Sequence, residues 1–281
     1  MSNTTNIKCH SRLVRYFLKF YYYFSRLILF ILISIRVLLY GLFRPAVIFN
    51  FLFGVVTEIA EFHKRCGGKV RNFSETKIYQ GITSAIFLPK SNFFNASFGN
   101  IRPTEAQVLA TLTAYLKPKK VFEIGTYNGF STLHFEQNIL DDSLIYTLDL
   151  PKDKMDIALK NDLIEAHRDI QNINMNEQRY FYAGNPHSKI VELFGDSKNF
   201  DFSPYHGKMD FVFIDANHSY AYVKSDTQNA FQMLSPGGVI LWHDYDFIHP
   251  AVFKLVNEIA EKKKIFYIER TRFALFASGE A

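Results

Sequence analysis

The stretch Val121-Phe-Glu-Ile-Gly-Thr-Tyr-Asn-Gly-Phe-Ser-Thr132 decides the fold. Its first four residues are mostly apolar, with a valine, a phenylalanine and an isoleucine, which predicts a short buried strand. Gly125 and Gly129 follow, and a helix is predicted from about Ser131. Glycine lets the backbone turn sharply and lets a ligand approach the amides at the start of the helix. The stretch therefore predicts the ligand-binding end of an α/β sheet.

Short apolar segments alternate with helical segments on both sides of this stretch. Such alternation predicts a Rossmann-like, doubly wound α/β fold, with a mostly parallel seven-stranded sheet and helices on both faces. The other predicted strands are Leu144–Leu148, Ile190–Phe194, Met209–Ile214, Val239–Trp242, Ile265–Ile268 and Phe273–Ala277. The other predicted helices are Thr104–Leu116, Tyr222–Leu234 and Pro250–Lys262, with a turn over Ser235–Gly238.

Acidic side chains accompany five successive strands of the predicted sheet. They are Glu123, Asp149, Asp196, Asp215 and Asp244. A single aspartate at the end of a strand is usually a helix cap. Five in order are hard to explain by capping, and the carboxyl ends of parallel strands meet at one edge of the sheet. The sequence therefore predicts an acidic crevice at that edge.

The net charge of the chain is concentrated at its amino-terminal end. The 281 residues carry a net charge of +5, of which residues 1–60 contribute +6 and the remainder −1. A neutral main body argues against nucleic acid as a partner. The two cysteines, Cys9 and Cys66, form no zinc motif or disulfide framework, although they could pair with each other.

Residues 12–56 combine apolar and basic side chains and predict contact with a membrane lipid surface. Leu27–Phe43 is apolar except for Arg36, and is just short of the length that spans a bilayer core. A basic stripe of Arg12, Arg15, Lys19 and Arg26 could instead hold a helix in the headgroup plane. A hydrophobic helical hairpin that packs on protein is the third alternative. The predicted organisation is a segment 1–60, a connector or lid 61–100 and a main domain 101–281.

Five motifs in order then identify a family resemblance. They are E-I-G-T-Y-N-G-F-S-T, Y-T-L-D-L, F-G-D-S, F-V-F-I-D-A-N-H-S-Y and L-S-P-G-G-V-I-L-W-H-D-Y. Over residues 101–278 the chain resembles class I S-adenosylmethionine-dependent methyltransferases, nearest to the small-molecule O-methyltransferases that act on catechols, caffeoyl-CoA and sugars. The resemblance implies methyl transfer to a hydroxyl of a small molecule or sugar. The apolar and basic residues 12–56 predict that this domain is attached to a membrane, and the lack of a disulfide framework predicts that it lies in the cytoplasm.

The resemblance also implies which residues bind the cofactor, S-adenosylmethionine. Asp149 would accept hydrogen bonds from the two ribose hydroxyls, because a carboxylate offers the lone pairs to receive both. Asp196 and Ser197 would flank the adenine. The residues that would line the rest of the cofactor are Glu123, Gly125, Thr126 and Gly129.

On the reaction side, the resemblance implies a divalent cation such as Mg²⁺ or Mn²⁺ held by Asp215, His243 and Asp244. Relatives usually have an acid where this chain has His243, and hard cations prefer oxygen ligands. His243 therefore favours a softer metal, or acts as a base instead. His218 is a second candidate base or ligand, and Asp215, His218 and His243 are the predicted catalytic residues.

Two other functions compete with this one. A nicotinamide-dependent oxidoreductase needs a glycine triplet for phosphate, which this chain lacks. The stronger alternative is a non-catalytic, methyltransferase-like module that binds cofactor or a partner at a membrane. The sequence is compatible with a homo-oligomer and leaves the acceptor molecule open.

Overall fold

The computed structural model describes residues 69–82, 86–88, 100–150 and 189–280, together with the single helical residues Val55, Ile59 and Lys64. By backbone proximity the chain divides into two units, residues 1–59 and 60–281. Within the described ranges, no helix combines the length and hydropathy that a membrane span needs. The predicted amino-terminal helical segment, and most of the predicted connector 61–100, lie outside the described residues.

An eight-stranded sheet forms the centre of the second unit. Its strands are β1 (Arg71–Asn72), β2 (Lys120–Ile124), β3 (Leu144–Asp149), β4 (Ile190–Phe194), β5 (Met209–Ile214), β6 (Leu234–Trp242), β7 (Ile265–Tyr267) and β8 (Ala274–Ala277). The strands lie in the order β4-β3-β2-β5-β6-β8-β7-β1. Neighbours pair in parallel except that β8 runs antiparallel to both β6 and β7. The predicted Rossmann-like, mostly parallel sheet is confirmed.

The predicted number of seven strands is wrong, because an eighth strand comes from the segment predicted as a connector. Arg71 and Asn72 pair in parallel with Phe266 and Tyr267 at the edge of the sheet. Two residues are too few to give an alternating pattern in the sequence, so β1 depends on its tertiary neighbour.

Five helices accompany the sheet among the described residues. They are α1 (Lys77–Gly81), α2 (Pro103–Leu116), α3 (Phe130–Glu136), α4 (Tyr220–Met233) and α5 (Pro250–Ala260). The predicted turn at Ser235–Gly238 is instead the first part of β6, where Leu234 pairs with Met209 before the register shifts. Proline and glycine suggested a turn there, but the irregular pairing accommodates both.

Successive residues of the central strands enter two separate cores. On β5, Val212 and Ile214 pack in a core with α4 and α5. Phe211 and Phe213 pack in a second core with α2 and α3. Because side chains alternate across a strand, helices on both faces require continuous apolar runs such as residues 211–214. This packing fixes the strand ends that carry the predicted site.

Candidate functional site

The carboxyl ends of β2, β3, β5 and β6 meet at one edge of the sheet, as the sequence predicts. Asp149 is the last residue of β3, and Asp215 directly follows β5. His243 and Asp244 directly follow β6. These strands are parallel, with β2 between β3 and β5 and β6 next to β5, so their carboxyl ends point the same way.

The glycine turn after β2 brings this strand end against that of β5. The amide of Asp215 donates to the carbonyl of Ile124 at 2.9 Å. Gly125 has φ +101°, and a Cβ at this position would lie 2.1 Å from the carbonyl oxygen of Asp215. Gly129 has φ +81° and directly precedes α3. Glycine is therefore required at position 125 because the backbones of residues 125 and 215 approach closely, whether or not a ligand binds at this turn.

Glu123 lies behind the turn and is fully buried. Its carboxylate accepts hydrogen bonds from Ser131 Oγ at 2.5 Å, Thr132 Oγ1 at 2.5 Å and Thr147 Oγ1 at 2.6 Å. Burial raises its pKa to about 7, although the three hydroxyls act in the opposite direction. Thr126 Oγ1 lies 2.6 Å from Thr147 Oγ1 and joins this network. Glu123 and Thr126 thus support the turn from inside.

The two acidic positions predicted for ribose and adenine follow β3 and β4. Asp149 is half-buried and accepts from the amide of Leu150 at 2.9 Å. Asp196 accepts from the amide of Lys198 at 3.0 Å and from the Tyr222 hydroxyl at 3.3 Å.

Next to Ser197, α4 places a second buried carboxyl group that sequence reasoning missed. Burial raises the pKa of Asp226 to about 7, while the Ser197 hydroxyl acts to lower it. Its position in the middle of a helix, among polar neighbours in the sequence, gave no sign that this aspartate would be buried.

His243 is the centre of the reaction-side cluster. Its Nδ1 lies 2.9 Å from Asp215 Oδ1, and its Nε2 lies 3.2 Å from Glu105 Oε2. A third carboxylate, that of Asp244, lies 3.5 Å from Nδ1. Burial acts to lower the pKa of His243, but the surrounding carboxylates raise it to about 10. The imidazole is therefore a buried cation with both ring nitrogens occupied.

Glu105 and Arg272 complete this charge network, and sequence reasoning missed both. Arg272 donates from Nε to Glu105 Oε1 at 3.0 Å and from Nη2 to Glu105 Oε2 at 2.9 Å. Its Nη1 donates to Asp244 Oδ1 at 2.5 Å. Although burial opposes it, the charges of His243 and Arg272 hold the pKa of Glu105 well below its usual range.

The only local signal for Glu105 was its place in the first turn of α2, where it accepts from the amide of Arg102 at 2.7 Å. This capping role is visible from its spacing to the helix start. Arg272 lies in the connection between β7 and β8 and had no sequence signal.

Two further imidazoles, those of His218 and His249, contact the carboxylate of Asp244. The Nε2 atom of His218 lies 2.7 Å from Asp244 Oδ2, and the Nδ1 atom of His249 lies 3.4 Å from Asp244 Oδ1. The two imidazole rings are 4.8 Å apart between centroids. Asp244 has φ +56°, a left-handed conformation that aspartate tolerates better than most residues. His249 precedes Pro250 at the start of α5, and sequence reasoning missed it.

Two groups of three side chains bring possible metal-ligand atoms within 4.8 Å of one another: Asp215, His243 and Asp244, and His218, Asp244 and His249. The structure therefore brings together all four predicted reaction-side residues, and Asp244 belongs to both groups. The predicted cofactor residues follow the neighbouring strands β2, β3 and β4. The roles assigned to all of these residues remain predictions.

Comparison with known proteins gives a family match for the part of the chain that forms this edge of the sheet. Residues 122–245, from β2 to the loop after β6, match the family described as "Methyltransferase domain". This part of the chain is similar to methyltransferase domains. This match confirms the resemblance seen in the motifs, and the domain includes the glycine turn and all four reaction-side residues.

The methyltransferase domain also has curated relatives and structural neighbours. Caffeoyl-CoA O-methyltransferase from Stellaria longipes is 25% identical over 146 residues, which cover 52% of this chain and 54% of the relative. Caffeoyl-CoA O-methyltransferase 3 from Nicotiana tabacum is 27% identical over 40% of this chain and 41% of its own. The chain thus spans about half the length or less of the curated relatives it matches.

Among solved structures, an O-methyltransferase from Bacillus cereus in complex with SAH is similar at 17% identity and a TM-score of 0.44. The similarity covers 68% of this chain and 92% of that protein.

Proposed function

We propose that this protein transfers a methyl group from S-adenosylmethionine to a hydroxyl group of a small molecule or sugar. The observation that carries the proposal is the match of residues 122–245 to a methyltransferase domain, whose strand ends bring Asp215, His218, His243 and Asp244 into one cluster. The two caffeoyl-CoA O-methyltransferases to which the chain is similar support a hydroxyl as the acceptor, since their names state O-methyl transfer.

The cofactor side of the site fits S-adenosylmethionine. Asp149 is half-buried at the end of β3 and carries a carboxylate that a ribose diol can reach. Asp196 and Ser197 would flank the adenine, and the turn from Gly125 to Gly129 would pass along the amino-acid tail. Glu123 and Thr126 would hold this turn from behind, since both are buried. Bound S-adenosylmethionine supplies a methyl group on a positively charged sulfur.

On the acceptor side, Asp215 would receive the hydrogen bond of the attacking hydroxyl. Its side chain is 18% exposed, whereas that of His243 is 2% exposed. His243 would not serve as a base at neutral pH, because the surrounding carboxylates raise its pKa to about 10 and contact both ring nitrogens. It would hold Asp215 in place through the 2.9 Å contact. The hydroxyl oxygen would bond to the methyl carbon as the carbon–sulfur bond breaks, and the hydroxyl proton would pass to the Asp215 carboxylate. This displacement needs little besides alignment and removal of that proton.

A bound divalent cation would assist the same reaction. The resemblance assigns a divalent cation to Asp215, His243 and Asp244, and these three groups are within reach of one ion. A cation bound there would make the acceptor hydroxyl more acidic. The pairing of His243 with Asp215 and Glu105 makes it an unfavourable nitrogen ligand, because a ligating imidazole must be neutral.

Residues 12–56 would attach the protein to a membrane surface, with the methyltransferase domain in the cytoplasm. Support for this part comes from the sequence, in which this largely apolar segment holds six basic residues and no acidic one. The acceptor is then a molecule that can be reached at a membrane surface. The sequence stays compatible with a homo-oligomer.

Cofactor binding is the first test. We expect full-length protein in detergent to bind S-adenosylmethionine in a calorimeter, and Asp149→Ala to weaken binding by at least about tenfold, since a charge-assisted hydrogen bond is lost. Asp142→Ala is the matched control, because Asp142 is an exposed acid just before β3, at the opposite end of that strand. Equal affinity of the Asp149 variant and wild type would remove the cofactor assignment.

Turnover distinguishes the enzyme from a binding module. Incubation of a cell extract with methyl-labelled S-adenosylmethionine and the protein should label a small molecule, detected by mass spectrometry. Binding of the cofactor without any labelled product would favour the non-catalytic alternative.

A further inference from the structure

The cluster around Asp244 contains two imidazoles, those of His218 and His249, to which the methyl transfer proposed above assigns no step. They contact different oxygens of the Asp244 carboxylate, which Arg272 also contacts. The carboxylate is buried, with 6% of its side chain exposed, while the two imidazoles are 19% and 22% exposed. One ligand atom from each of the three residues lies within 4.8 Å of the others.

We propose that His218, Asp244 and His249 bind a divalent transition-metal ion, and that this set, rather than Asp215, His243 and Asp244, is the metal site of the chain. Ligand atoms about 2.0–2.2 Å from one metal ion are roughly 3 Å apart when they are neighbours. The contacts of 2.7 Å and 3.4 Å from the two imidazoles to Asp244 match that spacing. Two imidazoles and one carboxylate favour iron, manganese, cobalt or zinc over Mg²⁺.

The contacts of His243 disfavour the alternative set. A metal ion there would replace a contact between an imidazole nitrogen and the carboxylate of Asp215, at 2.9 Å, or of Glu105, at 3.2 Å. Glu105 is fully buried and doubly bonded to Arg272, so it cannot rearrange without leaving a charge unpaired. The side chains of His218 and His249 are 19% and 22% exposed, whereas that of His243 is 2% exposed, so an ion from solution reaches the first two more easily.

Neighbouring groups hold the proposed ligands in place. Asp246 Oδ1 accepts from the amides of Ile248 and His249 at 2.9 Å and 3.1 Å and lies 3.0 Å from His249 Nδ1. The two amide hydrogen bonds fix the backbone at residues 248 and 249, and a metal ion on His249 Nδ1 would take the place of the side-chain contact with Asp246. Arg272 brings a positive charge to Asp244, but it shares that charge with Glu105.

Three protein ligands leave open positions on the metal for water or for the acceptor hydroxyl. The assignment concerns metal binding itself and does not depend on methyl transfer.

Cobalt binding tests the proposal directly. We expect full-length protein to bind one Co²⁺ ion with visible absorption bands typical of nitrogen ligation. His218→Gln and His249→Gln should each weaken Co²⁺ binding by at least about tenfold, because each removes a ligand. Asp215→Asn and the exposed-residue variant His206→Gln should bind Co²⁺ like wild type. Affinity for S-adenosylmethionine is measured on every variant and reports whether its domain is folded.

Several results would overturn the assignment. Loss of binding in Asp215→Asn, with normal binding in both histidine variants, would place the metal in the other set. Absence of Co²⁺ binding to wild type, or equal binding to all variants, would show that there is no site here. Failure to bind S-adenosylmethionine alongside normal Co²⁺ bands would contradict the proposed function and leave the metal assignment intact.

Discussion

His243 is the residue on which the charges of the site converge. It is 3% exposed and lies between the carboxylates of Glu105 and Asp215. A buried cation is stable only where partners offset its lost hydration, and here carboxylates lie at both ring nitrogens. The protonated imidazole thereby fixes the orientation of Asp215, the residue proposed to receive the acceptor hydroxyl.

This charge predicts how stability depends on pH. The pKa of His243 is about 10 in the folded protein and 6.5 for an ordinary histidine. Its stabilising effect is therefore complete below pH 6.5 and is lost as pH rises through 10. We expect the free energy of unfolding in urea to fall between pH 7 and 9, at up to about 1.4 kcal/mol per pH unit. In His243→Gln this slope should be absent. Parallel pH curves for the two proteins would show that His243 is not charged.

At the scale of elements, the contact between the ends of β2 and β5 is set by backbone rather than by side chains. Gly125 directly follows β2, has φ +101° and packs on the carbonyl of Asp215. The same contact positions Asp215 beside the glycine turn. From the sequence, the two glycines predicted a sharp turn that a ligand could approach. The structure shows that the close approach of the neighbouring strand also requires glycine at position 125.

A pair of alanine substitutions distinguishes the strain of a left-handed backbone from the clash of a Cβ atom with the neighbouring strand. Gly237 also has positive φ, at +86°, but a Cβ there would meet nothing within 4 Å. Gly237→Ala should cost only the strain of the left-handed backbone, about 1–2 kcal/mol. Gly125→Ala carries the same strain plus a Cβ placed 2.1 Å from a backbone oxygen, so its melting temperature should fall much further. Equal losses in the two variants would mean that the strand ends separate easily.

At the scale of the whole molecule, charge is divided between a basic segment and a neutral body. Residues 1–60 carry +6 and the remaining residues −1. Each basic residue near an anionic bilayer contributes about 1 kcal/mol to binding, and salt screens this attraction. The charge distribution therefore predicts which part of the chain responds to lipid composition.

Vesicle flotation measures this response. We expect the full-length protein to bind phosphatidylserine-containing vesicles more tightly than phosphatidylcholine vesicles. Replacement of Arg12, Arg15, Lys19 and Arg26 by Gln should remove the difference. Replacement of Lys262, Lys263 and Lys264 by Gln is the control, since it removes similar charge from the domain and should have little effect. If the variant without the four basic residues still preferred anionic lipid, the predicted role of the basic stripe would be wrong.

Carbonate extraction of membranes then distinguishes a segment that spans the bilayer, which resists extraction, from an interfacial segment, which is removed.

The sequence by itself determined the sheet, its two covered faces and the edge at which the acids gather. These features follow from local patterns, because buried strands need continuous apolar runs and parallel strands end on the same side. The tertiary structure alone decided that β1 joins the sheet, that Glu123 is enclosed by hydroxyls, and that Glu105 and Arg272 lock His243 as a cation. The charge of the buried imidazole of His243 depends on groups such as Glu105, which is 138 residues away along the chain. No local sequence pattern indicates such a contact, so the charge state of this site could be inferred only from the folded structure.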